Sequence, residues 1–298
     1  MANLRDIRRR IKSVKSTSQI TKAMQLVAAA KMKKAQNQAL AGRDYADELN
    51  KVLTNLKANV DENSHPLFEK REGGKKLMLV ISTDKGLCGG LNTNLLKKVR
   101  RESDKNTHFV TVGRKLRTAL AKTGETLIAD FQITDPLPFA EARPIAKFLT
   151  EKFLSREYDC VQVAFTNFIS TLRQDPWVAQ LLTIEADTLA EKRAYEGVGK
   201  EMVAETDKEA ALANDYLFEP DPKAVLNTLL PLYINFQVYQ MLVESIASEH
   251  SARMVAMKSA TDNAEQMVKD LTLEYNKARQ AAITSELLEI TTAQKAME

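Results

Sequence analysis

The C-terminal end of the chain carries the longest unbroken helical pattern. Residues 232–298 contain neither Gly nor Pro, and their apolar side chains recur at steps of three and four, as on one face of an α-helix. A continuous helix of this length would extend about 100 Å, so it needs a partner along its length. The repeating positions are Leu242, Ile246, Met254, Met257, Ala260, Ala264, Met267, Leu271, Tyr275, Ala278 and Ala282.

The N-terminal end shows a heptad pattern, which predicts a left-handed seam between two helices. Large apolar residues occupy both ends of this seam, whereas its middle is polar or small. A shifted register through Ile20, Met24 and Val27 fits the middle equally well, so both registers stay open. The heptad positions are Leu4, Ile7, Ile11, Val14, Ser18, Thr21, Gln25, Ala28, Met32, Ala35, Ala39, Gly42, Ala46, Leu49, Leu53 and Leu56.

The middle of the chain changes to short apolar runs that alternate with helical patterns. Such alternation is typical of a parallel or mostly parallel sheet with helices on its faces. Pro231 predicts either a kink in the last helix or its true start. The pattern predicts strands over 76–82, 108–112, 126–131, 159–170 and 177–185, with helices over 91–101, 114–123 and 141–154.

The predicted fold class is therefore α/β, with a long antiparallel two-helix coiled coil and an inserted α/β domain. Charge favours pairing of the two ends, because residues 1–60 carry 13 basic and 4 acidic side chains, whereas residues 232–298 carry 6 basic and 9 acidic ones. Opposite net charges attract, and they disfavour self-pairing of the basic helix. We expect a coiled-coil helix over 1–64, the α/β domain over 75–220 and the second coiled-coil helix over 221–298.

Composition excludes several classes of protein. No apolar run approaches the ~20 residues that span a bilayer, and the start of the chain lacks the apolar region of a secretory signal. The two cysteines, Cys88 and Cys160, do not suggest a disulfide framework. We expect a reducing location on the cytoplasmic side, with Cys160 as a small buried side chain.

The first half of the N-terminal helix is strongly basic, which fits a polyanion or an acidic protein surface. Nucleic acid is the rival partner, and a coiled-coil nucleic-acid-binding or scaffold protein is the alternative function. Against it, no aromatic residue precedes Tyr45, and no nucleic-acid-binding motif is visible. A solvated helix face is the third interpretation.

Catalytic signals are weak throughout the sequence. The loop 82–92 follows a strand and opens a helix, as phosphate-binding loops do, but it lacks their glycine and lysine spacing. We therefore interpret it as a structural or docking loop, and a small nucleotide-binding enzyme that uses this loop is the alternative. His65, His108 and His250 have no neighbours at metal-ligand spacing. The sequence predicts no catalytic site, no cofactor and no metal, which suits an assembly part of a larger machine.

Four sequence segments resemble the γ subunit of bacterial F-type ATP synthases, in order along the whole chain. They are IRRRI with ITKAMQLVAAAKM (7–11 and 20–32), STDKGLCGGLNTN (82–94), YLFEP (216–220), and EHSARMVAMKSATDNA with YNKARQAAITSELLEI (249–264 and 275–290). The tail 291–298 departs from the family, because it has no Gly where a Gly- and Ala-rich tail is usual.

The resemblance implies a central rotor shaft without a catalytic site of its own. Its partners would be the hexamer of α and β subunits, the ε subunit and the c-subunit ring. The complex would lie on the cytoplasmic side of the bacterial plasma membrane, with this chain peripheral and attached through the ring. Ion flow would turn the ring and shaft, and the shaft would drive the β subunits through their nucleotide states.

Family positions then suggest candidate contact residues. The resemblance implies that the basic track meets acidic lever loops of β, and that a second set on the last helix meets the hexamer. A buried Arg253 should have an acidic or carbonyl partner; the alternative is that the second set bridges the two helices. The hexamer set is Lys22, Met24, Lys31, Lys33, Lys34, Arg253, Arg279, Gln280 and Thr284. The candidates for contact with the ring or ε are Glu205, Asp207 and Tyr216.

Overall fold

The computed structural model describes residues 4–42, 45, 48–49, 52–53, 56, 65–71, 73–184, 219 and 221–297. The chain forms two compact units, Met1–Ala28 with Met254–Glu298 and Ala29–Arg253. The helices are α1 (Leu4–Ala41), α2 (Leu91–Glu102), α3 (Arg114–Lys122), α4 (Phe139–Leu154) and α5 (Pro222–Met297), with a short 3₁₀ helix at Pro66–Phe68. The strands are β1 (Lys76–Ile81), β2 (Thr107–Val112), β3 (Leu127–Phe131), β4 (Cys160–Phe168) and β5 (Gln174–Leu182).

In the first unit, α1 uses the heptad register. Every described heptad position is buried or half-buried, including the polar Ser18 and Thr21. The alternative register is wrong, since Ile20 is 58% exposed and Val27 is 57% exposed. The polar middle of the seam is therefore a real feature of the helix interface.

The matching seam of α5 also contains a hydroxyl at its centre. Thr261 is buried, and its Oγ1 lies 2.7 Å from Oγ1 of Thr21. The seam continues through Ala264, Val268 and Leu271. The prediction of Met267 as a seam residue is wrong: steps of three and four counted from Thr261 reach Val268 and leave Met267 exposed.

The two helical segments run antiparallel in the second unit. Lys31 and His250 share a partner at Asp135. Fourteen residues further along the chain from Lys31, and fourteen residues back from His250, the rings of Tyr45 and Phe236 lie 5.4 Å apart.

The second unit is built on a five-stranded sheet of order β3-β2-β1-β4-β5. All neighbouring pairs are parallel except β4 and β5, which confirms the predicted mostly parallel sheet. Strand β5 begins at Gln174, three residues earlier than predicted. Pro176 lies inside it, which is tolerated because β5 is an edge strand.

Alternate residues of the central strand face two different cores. Met78 and Val80 pack with α2 and α3, through buried residues such as Leu95 and Leu116. Leu77, Leu79 and Ile81 belong to a larger core with α4 and with segments of α1 and α5. The larger core includes Ala35 and Ala39 from α1 and Leu242, Val243 and Ala247 from α5. The sheet is therefore covered on one face by parts of both terminal helices.

Three local predictions need correction. Helix α5 starts at Pro222, where Asp221 Oδ1 accepts a hydrogen bond from Ala224 N, so Pro231 does not mark its start. Helix α4 starts at Phe139, two residues earlier than predicted. Cys160 is half-buried rather than buried, because it opens β4 at the rim of the sheet. The division at 1–64, 75–220 and 221–298 stays a prediction.

The small residues of α1 provide a packing test. Ala39 is 1% exposed in the larger core, whereas Ala41 on the same helix is exposed. We expect Ala39→Leu to lower the free energy of unfolding by about 1–3 kcal/mol, because the added atoms must displace packed neighbours. The matched change Ala41→Leu should stay within about 0.5 kcal/mol. Urea unfolding followed by circular dichroism measures both; equal effects would contradict this packing.

Candidate functional site

The glycine-containing loop 82–92 is held closed by its own side chains. Asn92 Nδ2 donates to Thr83 Oγ1 at 2.8 Å, and Asn92 Oδ1 accepts from Thr83 N at 3.3 Å. Ser82 Oγ donates toward the carbonyls of Val112 and Gly113, which ties the loop to the end of β2. Gly113 has a φ of +91°, and a Cβ there would lie 2.1 Å from Ser82 O, so this approach requires glycine.

Helix α5 passes the place where open parallel sheets usually bind ligands. That place is the crevice at the carboxyl ends of the strands where the strand order reverses, here between β1 and β4. Ser248 Oγ donates to Thr166 O of β4 at 3.0 Å, and Ser251 Oγ donates to Thr171 O at 2.9 Å. The chain's own helix therefore occupies this crevice, which agrees with the interpretation of the loop as a structural one.

Arg253 fastens α5 to the glycine-containing loop. The residue is 9% exposed, and its Nη2 donates to Glu249 Oε1 at 2.6 Å. Both Nε and Nη2 lie 3.3 Å from Gly86 O, and Nη2 lies 3.4 Å from Lys85 O. The expectation that a buried Arg253 has an acidic or carbonyl partner is confirmed, since it has both kinds. These bonds lie within α5 or between α5 and the loop.

A second polar cluster meets at Asp135, in the turn between β3 and α4. One carboxylate oxygen, Oδ2, accepts from Lys31 Nζ at 2.7 Å and lies 2.9 Å from His250 Nε2. The other ring nitrogen of His250, Nδ1, lies 3.3 Å from Arg253 Nη1. Because a guanidinium only donates, Nδ1 must accept and Nε2 must carry the proton toward Asp135. The geometry therefore describes a neutral His250.

The electrostatics of this cluster agree with that protonation state. Burial lowers the pKa of His250 and outweighs the opposing charges of Asp135 and Glu249. Burial alone would raise the pKa of Asp135, but the hydrogen bond and positive charge of Lys31, together with the hydrogen bond from His250, hold it below its ordinary value. At neutral pH, Asp135 is thus an anion between a lysine cation and a neutral histidine.

The predicted site residues are divided between the two units. Lys22, Met24, Arg279, Gln280 and Thr284 belong to the first unit, whereas Lys31, Lys33, Lys34 and Arg253 belong to the second. Met24 is half-buried and Arg253 is buried. The others are exposed, and the side chain of Lys31 is 45% exposed. Glu205, Asp207 and Tyr216 lie outside the described residues. The exposed set suits a surface that is spread along the helices.

The C-terminal part of α5 exposes large apolar side chains. Leu287, Leu288 and Ile290 are each about 60% exposed, and Ile283 is 47% exposed. Apolar side chains that lie close together on an exposed helix surface mark a contact surface more often than isolated ones do. The described part of the chain contains no helix that is both long and apolar enough to cross a membrane. It also contains no group of three or more metal-ligating side chains suited to an ion.

Sequence reasoning missed three residues of these networks. Asp135 sits in an Asp-Pro turn whose neighbours come from distant segments, and no local pattern marks it. The sequence suggests His250 only as a metal ligand, and its lack of neighbours at metal-ligand spacing excludes that role. Thr261 could have been found, because it follows Met257 by four and precedes Ala264 by three, as a seam residue should.

Known proteins are similar to this chain in sequence. The family profile described as ATP synthase matches residues 3–297. The ATP synthase gamma chain of Akkermansia muciniphila is 51% identical over 298 residues and covers 100% of both chains. That of Opitutus terrae is 49% identical over 294 residues, which cover 99% of this chain and 98% of the relative.

Solved structures are also similar. A chain of the Euglena gracilis mitochondrial ATP synthase (OSCP/F1/c-ring, rotational state 3) matches with a TM-score of 0.67 at 20% identity, covering 99% of this chain and 94% of that one. A chain of the Tetrahymena thermophila central stalk and c-ring matches with a TM-score of 0.58 at 25% identity, covering 81% and 99%. The Euglena likeness is one of fold.

The buried network predicts a large effect at Arg253. We expect Arg253→Met to lower the free energy of unfolding by about 2–4 kcal/mol, because Glu249 and two loop carbonyls lose their donor. The matched change Arg279→Met, on an exposed part of the same helix, should stay within about 0.5 kcal/mol. Guanidinium unfolding compares the two; similar small losses would contradict the network.

The neutral state of His250 predicts an acid-sensitive step in stability. Because its pKa is lower in the folded than in the unfolded chain, stability should be complete above about pH 6.5 and fall below it, by at most about 1.4 kcal/mol per pH unit. We expect His250→Gln to remove this step. The difference between variant and wild type isolates His250, since His65, whose pKa is also lowered, is present in both. Parallel unfolding curves from pH 7 to pH 5 would refute it.

Proposed function

The chain belongs to the gamma chain family of ATP synthases, and from that premise we propose how its surfaces act. It is a non-catalytic coupling subunit in the central stalk of an F-type ATP synthase. The observation that carries this conclusion is the match at 51% identity, which covers 100% of both chains.

In the proposed mechanism, this chain turns with a c-subunit ring that ion flow drives. The antiparallel helices would stand inside a hexamer of α and β subunits, and the α/β domain would bind the ring and the ε subunit. A rotor with different side chains around its circumference presents a different surface to each β subunit as it turns. Rotation then passes each β site through its nucleotide states, and the reverse process would let ATP hydrolysis drive the rotor.

The three proposed segments divide this work. Residues 1–64 and 221–298 form the helical shaft, and residues 75–220 form the foot. Glu205, Asp207 and Tyr216 are our candidates for contact with the ring or ε. We place the complex on the cytoplasmic side of the bacterial plasma membrane, where this chain is peripheral and is held through the ring.

The basic track of α1 is our candidate surface for acidic loops of β. Lys22, Lys33 and Lys34 are exposed, and none of them has an ion pair within the described part of the chain. Exposed ion pairs contribute only about 0–1 kcal/mol each, so they attract without holding the rotor at one β subunit. Lys31 would meet such a loop already paired with Asp135, and Met24 would supply an apolar contact between the charges.

The last helix supplies the second proposed surface. Arg279, Gln280 and Thr284 are exposed, as a contact with the surrounding hexamer requires. Thr284 Oγ1 donates to Gln280 O at 2.9 Å, which leaves its lone pairs available to a partner's donor. Arg253 is the exception among these candidates. Because it is buried and bonded inside this chain, its proposed contact with the hexamer would act through the segment that it fastens.

Charge reversal tests the basic surface in the purified complex. We expect Lys22→Glu, Lys33→Glu and Lys34→Glu together to lower the ATPase rate roughly threefold to tenfold, as three weak attractions become repulsions. The loss should shrink at high salt, because the Debye length, beyond which charges are screened, falls from ~10 Å at 0.1 M to ~3 Å at 1 M.

The matched control reverses Lys97, Arg100 and Arg101, which lie on α2 and make the same change in net charge. We expect the control to keep the wild-type ATPase rate at both salt concentrations. Equal losses in both triple variants would refute the assignment of this surface. Purification of the tagged chain without α- and β-like subunits or ATPase activity would refute the proposed function as a whole.

A further inference from the structure

The turn 132–138 between β3 and α4 contacts both terminal helices within the second unit. Asp135 and Leu137 hold α1, since Lys31 Nζ lies 2.7 Å from Asp135 Oδ2 and Gln38 Nε2 donates to Leu137 O at 3.1 Å. Lys31 and Gln38 are seven residues apart and so lie on one face of the helix. We call residues 132–138 the strap.

The strap reaches α5 from the same side. His250 Nε2 donates to the Asp135 oxygen that Lys31 also contacts, at 2.9 Å. Just after the strap, the ring of Phe139 lies 5.2 Å from the ring of Tyr239, near edge-to-face. His250 and Tyr239 are eleven residues apart, which again places them on one helix face. Three contacts, two to α1 and one to α5, therefore converge on a turn of seven residues, and Phe139 adds a second contact to α5 directly after it.

The hydrogen-bond network continues from His250 to the loop after β1. Its Nδ1 accepts from Arg253 Nη1, and Arg253 donates to the carbonyls of Gly86 and Lys85 in the loop after β1. Asp135 therefore joins α1 to α5 directly and to the loop through two further side chains. A single carboxylate oxygen lies at the crossing point of these connections.

At the strap, hydrogen bonds and an ion pair supply the resistance to sliding that small apolar side chains lack. Next to the strap-contacting residues Lys31 and Gln38, the fully buried side chains of α1 are Ala35 and Ala39, whose small, smooth surfaces resist sliding along the helix axis only weakly. The larger buried side chains of the same core, Leu49, Leu53 and Leu56, follow beyond the end of α1. Hydrogen bonds are directional and weaken steeply when donor and acceptor shift. A charge-assisted pair with a partly buried carboxylate is also stronger than a neutral hydrogen bond.

We propose that Asp135 is a positioning residue for coupling, which fixes α1 and α5 in register through the strap so that rotation of the α/β domain reaches both helices together. This inference rests on the proposed function of the chain as a rotor subunit. Asp135 does not touch a catalytic site; it acts through Lys31, His250 and Arg253.

The first test measures hydrogen–deuterium exchange in the purified complex with Asp135→Asn. We expect amide exchange to become about fivefold faster in two segments, residues 30–38 of α1 and 239–253 of α5, because opening of both helices loses a shared restraint. The matched control is Asp130→Asn, which removes an aspartate that binds Arg117 and Thr111 in the same domain. The control should speed exchange near α3 and leave both strap-bound segments unchanged.

The second test measures ion pumping per ATP hydrolysed in reconstituted vesicles. We expect Asp135→Asn to lower this ratio about threefold while Asp130→Asn keeps the wild-type ratio. Asp135→Glu, which keeps the charge, should restore most of the ratio. If Asp135→Asn does not assemble, Gln38→Ala, which removes one strap contact, takes its place with the same expected directions.

The outcomes separate the two proposals. Unchanged exchange in either helix overturns the strap as a restraint, and changed exchange with an unchanged pumping ratio overturns its role in coupling. Equal effects of the Asp130 control, or no recovery with Asp135→Glu, also overturn the assignment to this carboxylate. A wild-type complex without ATP-driven pumping would instead contradict the proposed function, whereas the exchange experiment would still report on the strap.

Discussion

The structure depends on the antiparallel pairing of the two chain ends. A helix such as α5, with 76 residues, cannot bury its apolar stripe against itself, so each end of the chain supplies the surface that the other requires. The strands of the sheet, from Lys76 to Leu182, lie between the two helices in the sequence, so the sheet is an insertion between them.

The middle of the seam contains small and hydroxyl-bearing residues, where larger apolar side chains would hold the two helices together more tightly. Thr21 and Thr261 place two hydroxyl groups in contact, and each also lies within hydrogen-bond distance of a carbonyl on its own helix. Two protons serve three possible bonds, so this site gains little net energy. A polar pair fixes the register, because any slip along the helices would set a buried hydroxyl against an apolar neighbour. Specificity of alignment thus replaces strength at the middle of the seam.

The sequence predicted the parts of the fold that follow from periodicity. The heptad register of α1 was predictable even at Ser18 and Thr21, since the spacing held where the hydrophobicity did not. The parallel strands were predictable from their apolar runs. Periodicity failed at two places. Met267 suggests a seam position because it is apolar. Pro176 obscures the start of β5, because proline is tolerated only at the edge of a sheet.

The Asp135 cluster could not be predicted for a different reason. Lys31 and His250 lie 104 and 115 residues from Asp135 in sequence, and they meet it only after the sheet order has brought the β3–α4 turn against both helices. A family resemblance pointed to Lys31 and Arg253 as outward contacts, yet here both are first engaged within the chain. In the proposed contact with β, an approaching acidic loop would have to compete with Asp135 for Lys31, because this ion pair already exists within the chain. The internal network would therefore set the strength of the proposed external contact.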